Sequence, residues 1–151
     1  MKIAEFLRED LILPDLASSE KPAVLAELCT ALIKSPVPQA RLTDALVERE
    51  KLGSTGIGEG VAIPHGKLSG IPGLLAAFGR SRKGVDFAAI DGKPTFLFFV
   101  LFAPENSAGI HLKALARISR LFKSAQFRKG IMDAAGAPGI FKLIADEDAK
   151  Y

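Results

Sequence analysis

Thr95-Phe-Leu-Phe-Phe-Val-Leu-Phe102 is apolar at every position after its threonine. A run of this length without polar alternation reads as a central β-strand buried on both faces. The uninterrupted apolar segment, Phe96 to Ala103, holds eight residues, which at helical rise would span about 12 Å against a bilayer core of about 30 Å. The run is therefore a sheet strand and not a membrane span. Upstream, Leu74 to Ser81 reads as a second strand, continued by Val85 and Phe87, with an Asp91-Gly92 turn before the apolar run. The connection is too short for a helical crossover, so this pair is expected to be antiparallel.

Working outward, Val61-Ala62-Ile63 reads as a short strand ended by Pro64-His65-Gly66-Lys67. The segment Gly53-Ser-Thr-Gly-Ile-Gly-Glu-Gly60 cannot be a helix interior, because each glycine there costs about 1 kcal/mol. It is expected to be a loop with unusual backbone angles or exposed amides. A helix near 39–51 precedes it, with Leu42, Ala45, Leu46 and Arg49 one turn apart. An earlier helix near 20–34 carries Val24, Leu25, Leu28 and Leu32 at helical spacing, capped by Ser18-Ser19 and broken by Ser35-Pro-Val-Pro38. The first block, to about Leu13, reads as a short helix followed by a short strand. After the central strand, Ser107 is expected to cap a long helix to about Phe122, with Leu115, Ile118 and Phe122 inward. Two shorter helices, near 125–134 and 139–145, finish the chain. Helices before, between and after the strands predict an α/β fold, a mixed sheet flanked by helices on both faces.

The 151 residues suit one domain, 1–151, without repeats or a dividing linker. Twenty basic and 17 acidic residues are interspersed, a balance too mild to argue for a nucleic-acid partner. Glu5, Glu9 and Asp10 interrupt the N-terminal apolar stretch, so it does not read as a signal peptide. Cys29 is the one cysteine and lies on the apolar stripe of its helix, where a buried, unreactive thiol is expected. A lone thiol with no C-x-x-C pattern fits a reducing compartment, hence the cytoplasm.

Four residues could carry chemistry. His65 follows a proline and precedes a glycine at the end of a strand, which suggests an imidazole held at a rim. His111 lies in the first turns of the helix after Ser107, where an imidazole and a helix N-terminus could converge on an anion; a partly buried histidine bonded to a neighbour is the plainer reading. Arg49 sits on or near the inward stripe of its helix, beside Glu48, Glu50 and Lys51, which read as a solvated face. It needs a partner there, unless its stem merely snorkels to water. Glu59, between two glycines, could orient a histidine or pair with Arg49, or be a loop charge. The glycines at 56, 58 and 60 are spaced G-x-G-x-G after a helix and before a strand, the reverse of dinucleotide-binding order. No G-x-x-x-x-G-K-[ST] nucleotide loop is present.

The stretch Arg49-Glu-Lys-Leu-Gly-Ser-Thr-Gly-Ile-Gly-Glu-Gly-Val-Ala-Ile-Pro-His-Gly-Lys67 resembles the active-site signature of the fructose/mannitol/nitrogen (type 2) class of enzyme IIA domains, components of the bacterial phosphoenolpyruvate-dependent phosphotransferase system. Ala103-Pro-Glu-Asn-Ser-Ala-Gly-Ile-His-Leu-Lys-Ala-Leu115 is similar to that family's second-histidine segment. The resemblance covers nearly the whole chain. It implies the mannitol-type enzyme IIA fold, with His65 as phosphoacceptor and His111 contacting the phosphoryl group. Arg49 and Glu59 match positions lining the same site, the carboxylate being the less constant of the two. It also implies an HPr-like phosphocarrier as donor, downstream regulated proteins or a IIB domain as receivers, and no metal or organic cofactor.

Within the family, the Gly53–Gly58 stretch and the lack of a permease segment or second phosphorylation domain resemble the free-standing nitrogen-regulatory branch. A sugar-specific enzyme IIA serving a separate IIB is the alternative, and a regulatory binding module that is never phosphorylated is another. A metal-dependent hydrolase with His65, His111 and Glu59 as ligands uses permissible residue types but lacks any short-spaced ligand pair. No nucleophile elbow supports a serine hydrolase.

Overall fold

The apolar run is the middle of the sheet. A computed structural model describes all 151 residues, Met1–Tyr151. Two 3₁₀ turns, Ile3–Glu5 and Glu9–Leu11, lead into strand β1 (Ile12–Leu13). Helix α1 (Lys21–Cys29) runs on as a 3₁₀ turn to Leu32, and α2 (Gln39–Glu50) follows. Then come β2 (Gly56–Gly58), β3 (Val61–Ala62), β4 (His65–Leu68), β5 (Leu75–Val85) and β6 (Thr95–Pro104). Helices α3 (Ala108–Leu121), α4 (Ala125–Asp133) and α5 (Ala137–Asp148) complete the chain.

The sheet order is β1-β5-β6-β3-β2, with β4 also on β6. β5 and β6 are antiparallel, with Phe78 opposite Phe99, while β1 runs parallel to β5. The sheet is mixed, as the short connection requires. Two short strands share one edge of β6: β3 pairs with Leu97 and Phe98, and β4 with Leu101 to Pro104, both parallel. Pro64 sits in the gap. It has no N–H for a ladder, but its carbonyl accepts from Leu101 N–H at 3.0 Å, so the two strands stay in line.

Alternation along β5 separates the two faces of the sheet. A side chain on Gly79 would meet Leu28 of α1 at 2.5 Å and Leu16 at 2.9 Å, so this face is closed tightly by the first helices. On the other face Phe78 stacks on Phe122 at 5.9 Å, and Phe99 and Phe127 pack edge-on against the same ring. Arg80, fully buried on that face, donates to the carbonyls of Pro14 (2.9 Å), Ile131 (2.9 Å) and Ala134 (2.6 Å). Its charge is thus met by carbonyl dipoles just after β1 and at the end of α4 and not by a carboxylate. No helix is long and apolar enough to cross a membrane. Cys29 is buried, and burial pushes its thiol up to about 11.

Several local expectations need correction. The first block forms 3₁₀ turns instead of a helix. Ser18 and Ser19 do not cap α1; Glu20 holds that position, and Glu27 of α1 reaches back to accept from the N–H groups of Ala17 and Ser18. Ser107 does stand at the N-cap of α3, but its hydroxyl donates to Pro104 instead of accepting from the helix. The 53–60 segment is not all loop: β2 folds back on β3 through a turn with φ of 58° at Glu59 and 78° at Gly60. His65 lies just past β3, as expected, but it also begins a further strand, β4.

Gly79→Val should lower stability by roughly 1–3 kcal/mol, since added methyls must displace Leu28 and Leu16 in a filled layer. Urea denaturation of the variant would check this; an unchanged midpoint would mean that α1 does not close on β5.

Candidate functional site

His65 is held at the exposed edge of the sheet by its own chain. Its Nδ1 lies 2.7 Å from the carbonyl of Ile63, two residues upstream across Pro64. A carbonyl can only accept, so Nδ1 carries the hydrogen and the lone pair sits on Nε2. Proline at 64 restricts the backbone that makes this contact possible. Gly66 faces α2 across a snug contact, where a Cβ would stand 3.4 Å from the carbonyl of Ala45. That close approach brings the last turn of α2, with Arg49, beside the imidazole.

His111 arrives from the first turn of α3, the helix that follows β6 directly. The two imidazoles meet edge to face, centroids 5.4 Å apart at 78°. His111 is 7% exposed, more buried than its place near a helix start suggested, and its Nε2 has no hydrogen-bond partner. A buried polar atom left unpaired costs about 1–3 kcal/mol, so its retention calls for a reason. Arg49 Nη1 donates to the carbonyl of Gly53 at 2.9 Å, closing the turn after α2 and anchoring the guanidinium at the cleft. Glu48, Arg49, Leu52, His65, Lys67 and His111 line this one open cleft.

Both histidines are held below the usual imidazole range. For His65 the main cause is burial; the Ile63 carbonyl opposes it and the charge of Arg49 adds to it. For His111 burial again leads, followed by His65 and Lys67. Both rings are therefore neutral at pH 7. The site is a neutral imidazole with a free Nε2, faced by a second imidazole and flanked by cations. It suits nucleophilic attack on an anionic group.

Glu59 does not join them. It occupies the apex of the β2–β3 turn, its N–H donating to Asp91 and its carboxylate 3.5 Å from Arg128 of α4, in a separate groove. The turn's positive φ points it away from the expected pairing with Arg49. The metal set of His65, His111 and Glu59 accordingly does not converge, and no other three His, Cys, Asp or Glu side chains do.

Two residues at the site escaped the sequence reading. Glu50, read there as solvated, is buried: it accepts from Thr55 N–H (3.1 Å) and from the Thr55 hydroxyl, and pairs with Lys21 at 2.8 Å. Spacing could have found it, since Glu50 continues the Leu42, Leu46 stripe by i+4. Lys67 lies two residues beyond His65 on β4, and ending the strand at Pro64 concealed that relation.

The family model described as phosphoenolpyruvate-dependent sugar phosphotransferase system, EIIA 2, matches residues 5–147. Over 146 residues the chain is 38% identical to a nitrogen regulatory protein of Bradyrhizobium diazoefficiens, covering 96% of this chain and 95% of the relative. It is 39% identical over 150 residues to the fructose-specific EIIABC component of Bacillus subtilis, covering 98% of this chain but only 24% of that longer protein. Among solved structures, nitrogen regulatory protein IIA-Ntr of Neisseria meningitidis superposes with a TM-score of 0.89 at 37% identity, covering 94% of this chain and 98% of that one. IIA mannitol of Escherichia coli superposes with a TM-score of 0.78 at 19% identity over 92% of this chain and 99% of that one, a likeness of fold.

NMR titration of the two imidazoles should place both midpoints below 6.5, the ordinary value for histidine. A midpoint at or above that value for either ring would contradict the burial seen here.

Proposed function

The chain belongs to the EIIA 2 family of the phosphoenolpyruvate-dependent sugar phosphotransferase system, and from that premise we propose that it is a phosphocarrier which accepts a phosphoryl group on Nε2 of His65 from an HPr-like protein. The observation that carries this reading is the Nδ1–Ile63 hydrogen bond, which commits one ring nitrogen and leaves the other as the nucleophile. In the transfer, the Nε2 lone pair forms a bond to phosphorus as the donor's N–P bond breaks, and that electron pair returns to the donor's nitrogen. No metal or nucleotide is needed, because donor and acceptor are both imidazoles held in line.

The unpaired Nε2 of His111 gains a partner in this reading: with its proton on Nε2, the ring donates to a phosphoryl oxygen. Arg49 supplies the fixed positive charge, its position set by Gly53. Depressed His65 basicity keeps the nucleophile unprotonated. Transfer should be flat through neutrality and fall only as pH drops through a value below 6.5, where the ring takes up a proton and loses its lone pair. Glu59, paired with Arg128 elsewhere, supports the turn and takes no part in transfer.

The family's two branches give the protein different receivers. Similarity over nearly the full length of a nitrogen regulatory protein supports a regulator whose phosphorylation state controls other proteins. The comparable identity to a fructose-specific component favours, as a second reading, a sugar-specific IIA that passes the group to a IIB domain. Efficient transfer to a fructose IIB would decide for the second.

Incubation with phosphoenolpyruvate, enzyme I and an HPr-type carrier should add one acid-labile phosphoryl group to the wild type and none to His65→Ala, read by intact mass. Nitrogen-resolved NMR should find phosphorus on Nε2; phosphorus on Nδ1 would refute the tautomer argument. Arg49→Met should slow transfer by roughly 10²-fold or more, as loss of arginine does at other phosphoryl-transfer sites, whereas Glu59→Gln should change it by no more than about twofold.

A further inference from the structure

We propose that Lys67 is a catalytic cation of this site, whose ammonium closes on the oxygens of the phosphoryl group carried at Nε2 of His65. The inference rests on the phosphohistidine reading above and adds a residue to it. Successive residues of a strand face opposite sides, so His65 and Lys67 project together while Gly66 between them is turned to α2. Positions i and i+2 lie about 6.6 Å apart, a span that a four-carbon lysine stem can cross. Lys67 lines the same cleft as Arg49, His65 and His111.

Its partners, or lack of them, separate it from the other cations nearby. Arg49 is tied to the Gly53 carbonyl, Lys51 to Glu48 at 2.8 Å, and Lys21 to the buried Glu50. The Lys67 side chain makes no hydrogen bond and no ion pair, although the residue is exposed at the mouth of the cleft. On α2, Glu48 is engaged by Lys51, and Glu50 by Lys21 and Thr55; Glu105, whose N–H donates to Leu68 beside the end of β4, forms no ion pair with Lys67. Its field reaches the second ring, since Lys67 is among the groups that hold His111 below the ordinary imidazole range.

Charge balance supplies the need. A protein-bound phosphoryl group carries roughly −1.5 to −2 charges at pH 7. Both imidazoles are neutral, and Arg49 offers one positive charge. A second, mobile cation completes the balance without fixing the group irreversibly, which a carrier must avoid. A lysine that only attracts the donor protein by long-range steering would act on encounter and not on the bonded group.

The test uses phosphoramidate, a small phosphoryl donor with no protein surface, beside the HPr-type carrier. Phosphorylation of wild type, Lys67→Met, Lys67→Arg and His65→Ala would be followed by intact mass, with thermal melting to confirm that each variant is folded. Lys67→Met should react with phosphoramidate roughly 10²-fold more slowly, the usual cost of losing one charge-stabilising donor, and Lys67→Arg should recover most of the rate. In protein phosphorylated by either donor, the ³¹P titration of the phosphoryl group should move to higher pH in Lys67→Met, because the dianion has lost a counterion. Slower transfer from the carrier alone, with unchanged phosphoramidate rate and ³¹P titration, would make Lys67 a docking residue and overturn the proposal. A wild type that gains no phosphoryl group from either donor would remove the phosphohistidine reading, and the proposal with it.

Discussion

The parallel ladder on one edge of β6 is the constraint from which the site follows. Two short strands, β3 and β4, share that edge, and the break between them falls at Ile63-Pro64. Because Pro64 cannot donate, the chain leaves the ladder there and rejoins it at His65. The carbonyl of Ile63, freed from the ladder by the same break, is the one that holds His65 Nδ1. A single interruption in sheet pairing thus fixes the position and the tautomer of the His65 ring and leaves its Nε2 uncommitted.

β6 also delivers the second histidine. The strand is buried on both faces and rigid, and α3 begins only a few residues after it ends. His111, in the first turn of that helix, inherits the strand's position and meets His65 edge to face. From the other side, α2 packs on β4 with Ala45 against Gly66 and brings Arg49 in. Beneath Arg49, Glu50 ties helix α2 to Thr55 and to Lys21 of α1, so the turn that anchors the guanidinium is itself anchored. The result is a site whose groups are set by strand and helix ends and not by a flexible loop, an arrangement suited to transfer by alignment and charge.

The electrostatic logic is consistent throughout. Burial keeps both imidazoles neutral, Arg49 and Lys67 share their cleft, and the carboxylates of Glu48 and Glu50 are paired with lysines. Glu59 illustrates the point. Its carboxylate meets Arg128 at the far end of a tight turn, so the carboxylate beside the cleft is not Glu59 but Glu48, which is paired with Lys51.

Much of this architecture was legible in the chain. The unbroken apolar run of β6, the short link to β5 and the helical stripes of Leu28, Leu46 and Ile118 follow from local periodicity, because burial on one or two faces writes itself into every second or every fourth residue. His65, His111 and Arg49 were legible as candidates because their residue types and neighbours are unusual. What local pattern could not decide was which side chains meet. Glu59 and Glu50 are both acidic residues near the motif; only the positive-φ turn sends the first to Arg128, and only the packing of α1 on α2 buries the second on Lys21. Lys67 joined the site because β4 resumes beyond Pro64, through hydrogen bonds to a strand more than thirty residues away in sequence. The sequence by itself determined the elements and the chemistry available to them. Tertiary structure decided the partnerships, because hydrogen-bond pairing and close approach between distant segments depend on the geometry of the whole fold and leave no periodic trace in the residues concerned.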